Sequence, residues 1–267
     1  MFFSKIRKVC SQPLCLWDAL DRLTHVYYTD SQNGIHNEQY LYNGDGERVY
    51  VINDGSLTGH LYDNGRVIAE YNDNDTVTTQ YVHGSGLGGD VGSMIRSQSL
   101  TADTDNDGEA DSIDNRAYFY NWRGDVIDLL DGEGNTVFSY RYDAFGSTVS
   151  CLAYSGAQAA EMNEPDASNP FLFSSKRFGF DTQLSYFGAR YYDASIGQFI
   201  SRDPMRYIDG PNMFVYVANN PMRYIDPFGL WKRGISIINY LDILNIFNVT
   251  QRNLFITPSM LLIILNL

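Results

Sequence analysis

Short runs of alternating apolar and polar residues recur along the first two thirds of the chain. Examples are RVIAEY from Arg66 and TVFSYRY from Thr136, each preceded by a glycine-containing turn. Alternation with a period of two puts successive side chains on opposite faces of a β-strand. Asn or Asp followed by Gly permits the positive φ angles of tight hairpin turns. The pattern therefore predicts a series of antiparallel hairpins and an all-β fold.

The predicted hairpins are related to one another, because an aromatic residue followed by Asn or Asp recurs beside the turns. The pairs are Tyr42-Asn43, Tyr62-Asp63, Tyr120-Asn121 and Tyr142-Asp143. A single hairpin is marginally stable in water, so we expect the units to pair side by side in a continuing sheet. Residues 16–30 form a degenerate first unit, and the segment 1–15 has no clear structure.

Composition supports strands and excludes several functions. Tyr supplies 20 of the 267 residues, and the net charge is −13. Tyrosine favours pleated surfaces, whereas such an acidic chain repels phosphate, so we expect no nucleic acid bound to its body. Three cysteines form no disulfide framework. No clear signal peptide is present, and the C-terminal apolar run MLLIILNL is too short to span a bilayer.

The segment from Arg177 to Leu230 carries a denser set of motifs. They are, in order, GARYY from Gly188, GQF from Gly197 with a following Asp-Pro, an Asn-rich stretch ending in NNP, and DPFGL. Together with the tyrosine-rich repeats, these motifs resemble the RHS (rearrangement hotspot, YD-repeat) family, related to teneurins and to the C component of insecticidal Tc toxins. Phe214 and Gln198 depart from the Tyr and Arg usual in that family.

The resemblance implies a domain order. Residues 16–176 would be repeats coiled into part of a hollow β-shell, and residues 177–230 the β-rich repeat-associated core domain that caps it. Residues 231–267 would be a variable, non-homologous C-terminal tail. This tail shows no catalytic constellation, so it is interpreted as a truncated effector or a remnant.

The resemblance also implies an activity, since RHS core domains are aspartyl autoproteases that cut after the Leu of DPxGL. Here the cut would separate Leu230 from Trp231, with Asp203, Asp226 and Arg190 at the matching catalytic positions. Two carboxylates at close range share one proton, so one can activate water while the other donates to the carbonyl. A guanidinium can orient a carboxylate or stabilise an oxyanion.

Each of these residues also has a purely structural interpretation. Asp-Pro commonly opens a turn, which would account for Asp203 and Asp226. An arginine between aromatic residues commonly stacks on them, which would account for Arg190. The repeated MRYID offers Asp209 as a rival catalytic acid, and Asp193 is interpreted as a solvated turn residue.

An acidic loop, DTDNDGEADSID, occupies residues 103–114. Its alternating carboxylates around a glycine match the oxygen ligands of a structural Ca²⁺ site, although no amphipathic helix flanks it as in an EF-hand. A solvated acidic loop is the alternative, and no other cofactor is required. The predicted ligands are Asp103, Asp105, Asp107, Glu109, Asp111 and Asp114.

The combined prediction is a polymorphic-toxin-type RHS protein whose shell segment holds its own C-terminal segment and releases it after Leu230. The resemblance implies a secreted or cell-surface protein, with an upstream shell portion and an immunity protein as further partners. Two alternatives remain: a non-enzymatic extracellular or cell-surface YD-repeat module for binding or structure, and an inactive RHS fragment.

Overall fold

The computed structural model describes residues 14–29, 34–87, 91–100, 112–208 and 210–234. Within these ranges the regular structure consists of β-strands and two short 3₁₀ turns, Phe173–Ser175 and Val217–Asn219, with no α-helix. Among the same residues, no helix has the length and apolar composition needed to cross a bilayer. The predicted all-β fold is confirmed.

One large antiparallel sheet contains thirteen strands, and each strand pairs only with its neighbours in the chain. This order follows from successive hairpins, as the repeated turns predict. The strands are β1 (Leu14–Trp17), β2 (Leu23–Thr29), β3 (Ile35–Tyr42), β4 (Arg48–Asn53), β5 (Ser56–Asp63), β6 (Arg66–Tyr71), β7 (Val77–His83), β8 (Met94–Leu100), β9 (Ser112–Tyr120), β10 (Val126–Leu130), β11 (Thr136–Tyr142), β12 (Thr148–Ser155) and β13 (Gln158–Glu161).

The turns explain why Asn or Asp recurs after an aromatic residue. The Oδ1 atom of Asn43 accepts hydrogen bonds from the backbone N–H groups two and four residues later, at 3.0 and 2.9 Å. Asn121 and Asp143 make the same pair of bonds. A side chain that satisfies two backbone donors stabilises a tight turn without help from other segments.

The aromatic partner of each pair anchors the turn to the preceding strand. The hydroxyl of Tyr42 donates to the Leu23 carbonyl at 2.6 Å, and that of Tyr142 donates to the Val126 carbonyl at 2.9 Å. Tyr62 and Tyr120 donate to backbone carbonyls in the same way. At Tyr42-Asn43, Tyr120-Asn121 and Tyr142-Asp143 the pair therefore combines a local turn cap with a cross-strand bond.

A second, four-stranded antiparallel sheet packs against the large one. Leu184 and Tyr191 of this small sheet share an apolar cluster with Leu23, Val26 and Tyr40 of the large sheet. A two-stranded ribbon follows. The strands are β14 (Arg177–Gly179), β15 (Leu184–Tyr186), β16 (Tyr191–Asp193), β17 (Gln198–Phe199), β18 (Tyr224–Ile225) and β19 (Arg233–Gly234). The predicted boundaries after residues 176 and 230 stay predictions.

A buried cation joins the two sheets. Arg48 of β4 is 5% exposed, and its Nη1 donates to the Tyr191 hydroxyl at 2.9 Å. Its guanidinium carbon also lies 4.4 Å from the centre of the Tyr186 ring and 5.3 Å from that of Tyr40. Arginine is suited to this position because its weakly hydrated planar head stacks on aromatic faces.

An aromatic cluster lies beneath the loops that follow the small sheet. Phe173, Phe187, Tyr192, Phe199 and Tyr216 are each at most 3% exposed. The ring centres of Tyr192 and Tyr216 are 4.7 Å apart, and Phe187 meets Phe199 edge to face at 5.6 Å. Such close ring packing makes the cluster a rigid support for the residues above it.

Candidate functional site

The structure brings Arg190, Asp203 and Asp226 together from three separate loops. Their exposed fractions are 2%, 6% and 2%. The Nη2 atom of Arg190 lies 3.2 Å from Asp203 Oδ2 and 3.3 Å from Asp226 Oδ2. A single guanidinium nitrogen therefore bridges both carboxylates, and the two oxygens are no farther apart than the sum of these distances.

The loop that contains the predicted cleavage point wraps around the Asp226 carboxylate. Asp226 Oδ1 accepts hydrogen bonds from the N–H groups of Phe228 at 3.3 Å and Leu230 at 3.1 Å. On the other side, Arg190 Nε donates to the Gly229 carbonyl at 2.5 Å. The peptide groups that directly precede the Leu230–Trp231 bond are thus held by the predicted site residues.

Gly229 is required by this geometry. Its φ angle is +69°, and a Cβ atom added there would lie 3.1 Å from both the Arg190 nitrogen and the Phe187 Cβ. Both the left-handed backbone and the close approach favour a residue without a side chain. The Gly of DPFGL therefore lets the loop reach the arginine.

Asp203 combines a turn role with its place in the ion network. Its Oδ1 accepts a hydrogen bond from the Met205 N–H at 2.8 Å, which caps the turn that Pro204 opens. The Met213 carbonyl accepts bonds from the Asp203 N–H at 3.0 Å and from Arg190 Nη1 at 3.2 Å. Asp203 can therefore cap the turn and belong to the site at once, because Oδ1 caps the turn and Oδ2 binds Arg190.

The electrostatics of Asp226 reflect two opposing effects. Burial raises the pKa of this carboxyl, while the Arg190 guanidinium, the two loop N–H groups and the Lys176 ammonium act to lower it. Burial disfavours the charged form, whereas nearby cations and donors favour it. The net rise in pKa is the kind of shift that acid–base groups in enzymes show, although ion networks shift pKa values too.

The sequence patterns do not point to Lys176, yet it contacts the same loop. The residue is 2% exposed, and its Nζ donates to the Pro227 carbonyl at 2.6 Å. The ammonium also lies 5.5 Å from the centre of the Phe187 ring. The one available signal is a lysine that follows the apolar stretch ending in Phe173 after two serines.

The predicted cleavage bond lies where the buried site meets solvent. Leu230 is half-buried, whereas Trp231 is 40% exposed. The Trp231 ring packs against Phe228, with ring centres 5.6 Å apart. One side of the bond is therefore anchored and the other is accessible.

Other predicted residues lie apart from this site or beyond the described ranges. Asp193 accepts bonds from the Ser195 N–H and hydroxyl in an exposed turn, and Asp209 is outside the described residues. Of the predicted calcium ligands, Asp114 lies within the described residues, and it pairs with Arg116 at 2.6 Å. No three His, Cys, Asp or Glu side chains in the described part are arranged to hold a metal ion. The calcium site stays a prediction, with five ligands outside the described residues: Asp103, Asp105, Asp107, Glu109 and Asp111.

No family model matches the chain, but curated proteins with similar sequences include a nuclease and a toxin subunit. The tRNA(Glu)-specific nuclease WapA of Bacillus subtilis subsp. natto is 30% identical over 221 residues, which is 80% of this chain and 8% of the nuclease. Toxin subunit YenC1 of Yersinia entomophaga is 32% identical over 133 residues, 49% of this chain and 13% of the subunit.

Solved toxin structures share the fold. The crystal structure of TcdB2-TccC3 without its hypervariable C-terminal region matches 84% of this chain with a TM-score of 0.59 and 26% identity. The Photorhabdus luminescens Tc holotoxin pore with a TccC3 mutation matches 85% with a TM-score of 0.61 and 25% identity. This chain is an RHS/Tc toxin-like protein. It corresponds to 10% of each toxin chain and 8% of the WapA nuclease, so the activities named for those proteins belong to them.

Proposed function

We propose that this RHS chain is a segment of a toxin-type β-shell that hydrolyses its own backbone once, between Leu230 and Trp231. The observation that carries the proposal is the enclosure of the preceding loop. Asp226 accepts the Leu230 N–H, Arg190 donates to the Gly229 carbonyl, and Asp203 shares the same guanidinium nitrogen. All three side chains are buried, and an apolar surrounding strengthens their electrostatic action on the bond.

The proposed step is hydrolysis by two carboxylates. One carboxylate removes a proton from a water molecule, and the water oxygen forms a bond to the Leu230 carbonyl carbon. The other carboxyl donates a hydrogen bond to the carbonyl oxygen, where negative charge develops. The bond to the Trp231 nitrogen then breaks, and that nitrogen takes up a proton. The products are a chain ending in the Leu230 carboxylate and a segment beginning with the Trp231 amine.

The raised pKa of Asp226 supports the assignment of one carboxyl as base and the other as hydrogen-bond donor. Because burial raises its pKa, the carboxyl exchanges its proton at a higher pH than an exposed Asp does. Arg190 holds both carboxylates beside one another despite their like charges. The guanidinium packs 3.7 Å from the centre of the Phe199 ring, so its position is fixed before the reaction.

Cleavage at this point would free the C-terminal segment from the shell. A hypervariable C-terminal region is named for one of the matching toxin structures, which supports a variable segment after the predicted cap. We extend the proposal to the context that follows from it: a secreted or cell-surface toxin, a longer shell around the released segment, and an immunity protein that binds that segment.

The test is the mass of the expressed full chain. Self-cleavage predicts two fragments, one ending at Leu230 and one with Trp231 as its N-terminal residue. Asp203→Asn and Asp226→Asn should each leave the chain intact, because each removes one carboxylate. Asp193→Asn is the matched control, since its carboxylate caps an exposed turn. An intact wild-type chain with the β-sheet circular dichroism of a folded protein would overturn the proposal.

A non-enzymatic shell module is the second candidate, and one observation favours it. Arg190 bridges both carboxylates at once, an arrangement that would also lock the cap in place without chemistry. In that case the wild-type mass stays whole, while Asp226→Asn lowers stability without any effect on the covalent chain.

A further inference from the structure

We infer that Lys176 is a positioning residue for the proposed cleavage, and that through it a turn of the large sheet holds the cleavage loop. This inference rests on the proposed function. It extends the site beyond the predicted core domain at residues 177–230.

The contact between Lys176 and the loop is direct. The Lys176 ammonium donates to the carbonyl of Pro227, which lies between Asp226 and Phe228. A buried ammonium is costly unless it binds an acceptor, so the contact fixes both partners. The Asp226–Leu230 loop is thus held from two directions, by Lys176 at its start and by Arg190 near its end.

The segment that carries Lys176 is tied to the turn between β9 and β10. The Ser174 N–H donates to Asp125 Oδ1 at 2.9 Å, and the Ser175 hydroxyl donates to the Gly124 carbonyl at 2.7 Å. Asp125 is fully buried and pairs with Arg123 at 2.7 Å.

The backbone of this segment is strained. Ser174 and Ser175 have φ angles of 52° and 55°. Such angles are costly for a residue with a side chain, and they persist only where surrounding contacts impose them. Here the buried turn imposes them, and the strained segment delivers Lys176 to the loop.

Lys176 also contributes charge. The charged and titratable groups that face Asp226 are Arg190, Lys176 and Tyr216, and Asp203 binds the same guanidinium nitrogen as Asp226. The Lys176 ammonium lowers the pKa of Asp226 against the effect of burial. Loss of this charge raises the pKa of Asp226 further. The limb of the pH–rate profile that reflects titration of Asp226, called the Asp226 limb, therefore moves to higher pH.

Three substitutions separate the two contributions. Lys176→Arg keeps the charge and a donor, Lys176→Gln keeps a donor without the charge, and Lys176→Met removes both. Arg202→Met is the matched control, because it removes a positive charge from an exposed position. Full-length chains are labelled in a cell-free translation reaction, synthesis is stopped, and aliquots are diluted into buffers that span acid to alkaline pH. The rate of cleavage is then followed by gel and by mass.

We expect Lys176→Met to slow cleavage by about tenfold to a hundredfold through misplacement of the loop. Lys176→Met and Lys176→Gln should both move the Asp226 limb to higher pH, whereas Lys176→Arg and Arg202→Met should leave it in place. A merely structural lysine would change the rate without moving the limb. Unchanged rate and unchanged pH dependence in Lys176→Met would overturn the inference while leaving the proposed function intact.

Hydrogen exchange gives a readout that does not depend on cleavage. The Phe228 and Leu230 N–H groups donate hydrogen bonds to Asp226. In Lys176→Met these two amides should exchange faster, while the amides in the strands of the large sheet stay protected. A wild-type chain that never cleaves contradicts the proposed function, and the exchange measurement then decides the role of Lys176 by itself. Unchanged exchange in this loop would refute the positioning role.

Discussion

Substitution of Arg190 by Met removes the centre of the buried ion network with little change in side-chain length. The wild-type guanidinium binds the Gly229 and Met213 carbonyls and both carboxylates. Met retains the apolar contact with the aromatic cluster but donates no hydrogen bond. Asp203 and Asp226 would then stay buried without their shared cation.

The expected loss of folding stability follows from the burial of two carboxylates that no longer have a cation beside them. Removal of one partner from a buried ion pair costs about 3 to 5 kcal/mol, because a buried charge is left uncompensated. That is a large part of the roughly 5 to 15 kcal/mol by which folded proteins are typically stable. We therefore expect Arg190→Met to lower the free energy of unfolding by at least about 3 kcal/mol at neutral pH.

The loss should depend on pH in a defined direction. Burial already raises the pKa of Asp226 above its usual value, and loss of the guanidinium raises it further. A group whose pKa is higher in the folded state contributes stability below its unfolded pKa, and that stability is lost as pH rises through the folded pKa. The deficit of Arg190→Met should thus be smallest at acid pH, where the carboxyl is protonated, and should grow toward neutral pH.

The assay is urea unfolding followed by circular dichroism, with intact mass recorded so that species of the same covalent state are compared. A shift of the midpoint at constant slope reports a change in stability. Arg202→Met controls for the loss of one exposed positive charge. A loss below about 1 kcal/mol, the range of exposed ion pairs, or a loss equal at acid and neutral pH, would refute the reasoning.

Three further predictions concern the sheets. Gly59 faces Tyr71 across β5 and β6, and an added Cβ would lie 2.2 Å from its ring, so Gly59→Val should lower the urea midpoint by the equivalent of about 1 to 3 kcal/mol. Asp125→Ala leaves the buried Arg123 unpaired and should cost about 3 kcal/mol or more by the same assay, whereas an unchanged midpoint would show that the pair contributes nothing. Burial raises the pKa of Cys151 to about 11, so peptide mass spectrometry should find this thiol alkylated only after denaturation.

The local structure of the large sheet could be predicted from sequence because its causes are local. Alternating residues define the strands, and Asn43, Asn121 and Asp143 each cap their own turn. These bonds span only two to four residues, so they leave a signal in the sequence. The tyrosine hydroxyl bonds to the neighbouring strand reinforce the same signal.

The candidate site could be predicted only in part. Its three side chains come from loops far apart in the chain, and family resemblance rather than spacing indicated that they meet. Residue patterns also favour exposed positions for Lys and Arg, so the buried Lys176 and Arg48 were missed. Both bind partners more than 50 residues away, an acceptor carbonyl for Lys176 and a tyrosine hydroxyl for Arg48, which only the tertiary structure reveals.

The strictly sequential pairing of the large sheet has a consequence for biosynthesis. Each strand meets its neighbour as soon as both have left the ribosome, so hairpin can add to hairpin while later residues are still being translated. Asp226 emerges only after every strand of that sheet and after Arg190 and Asp203. The order of translation therefore lets the large sheet form before the ion network can close.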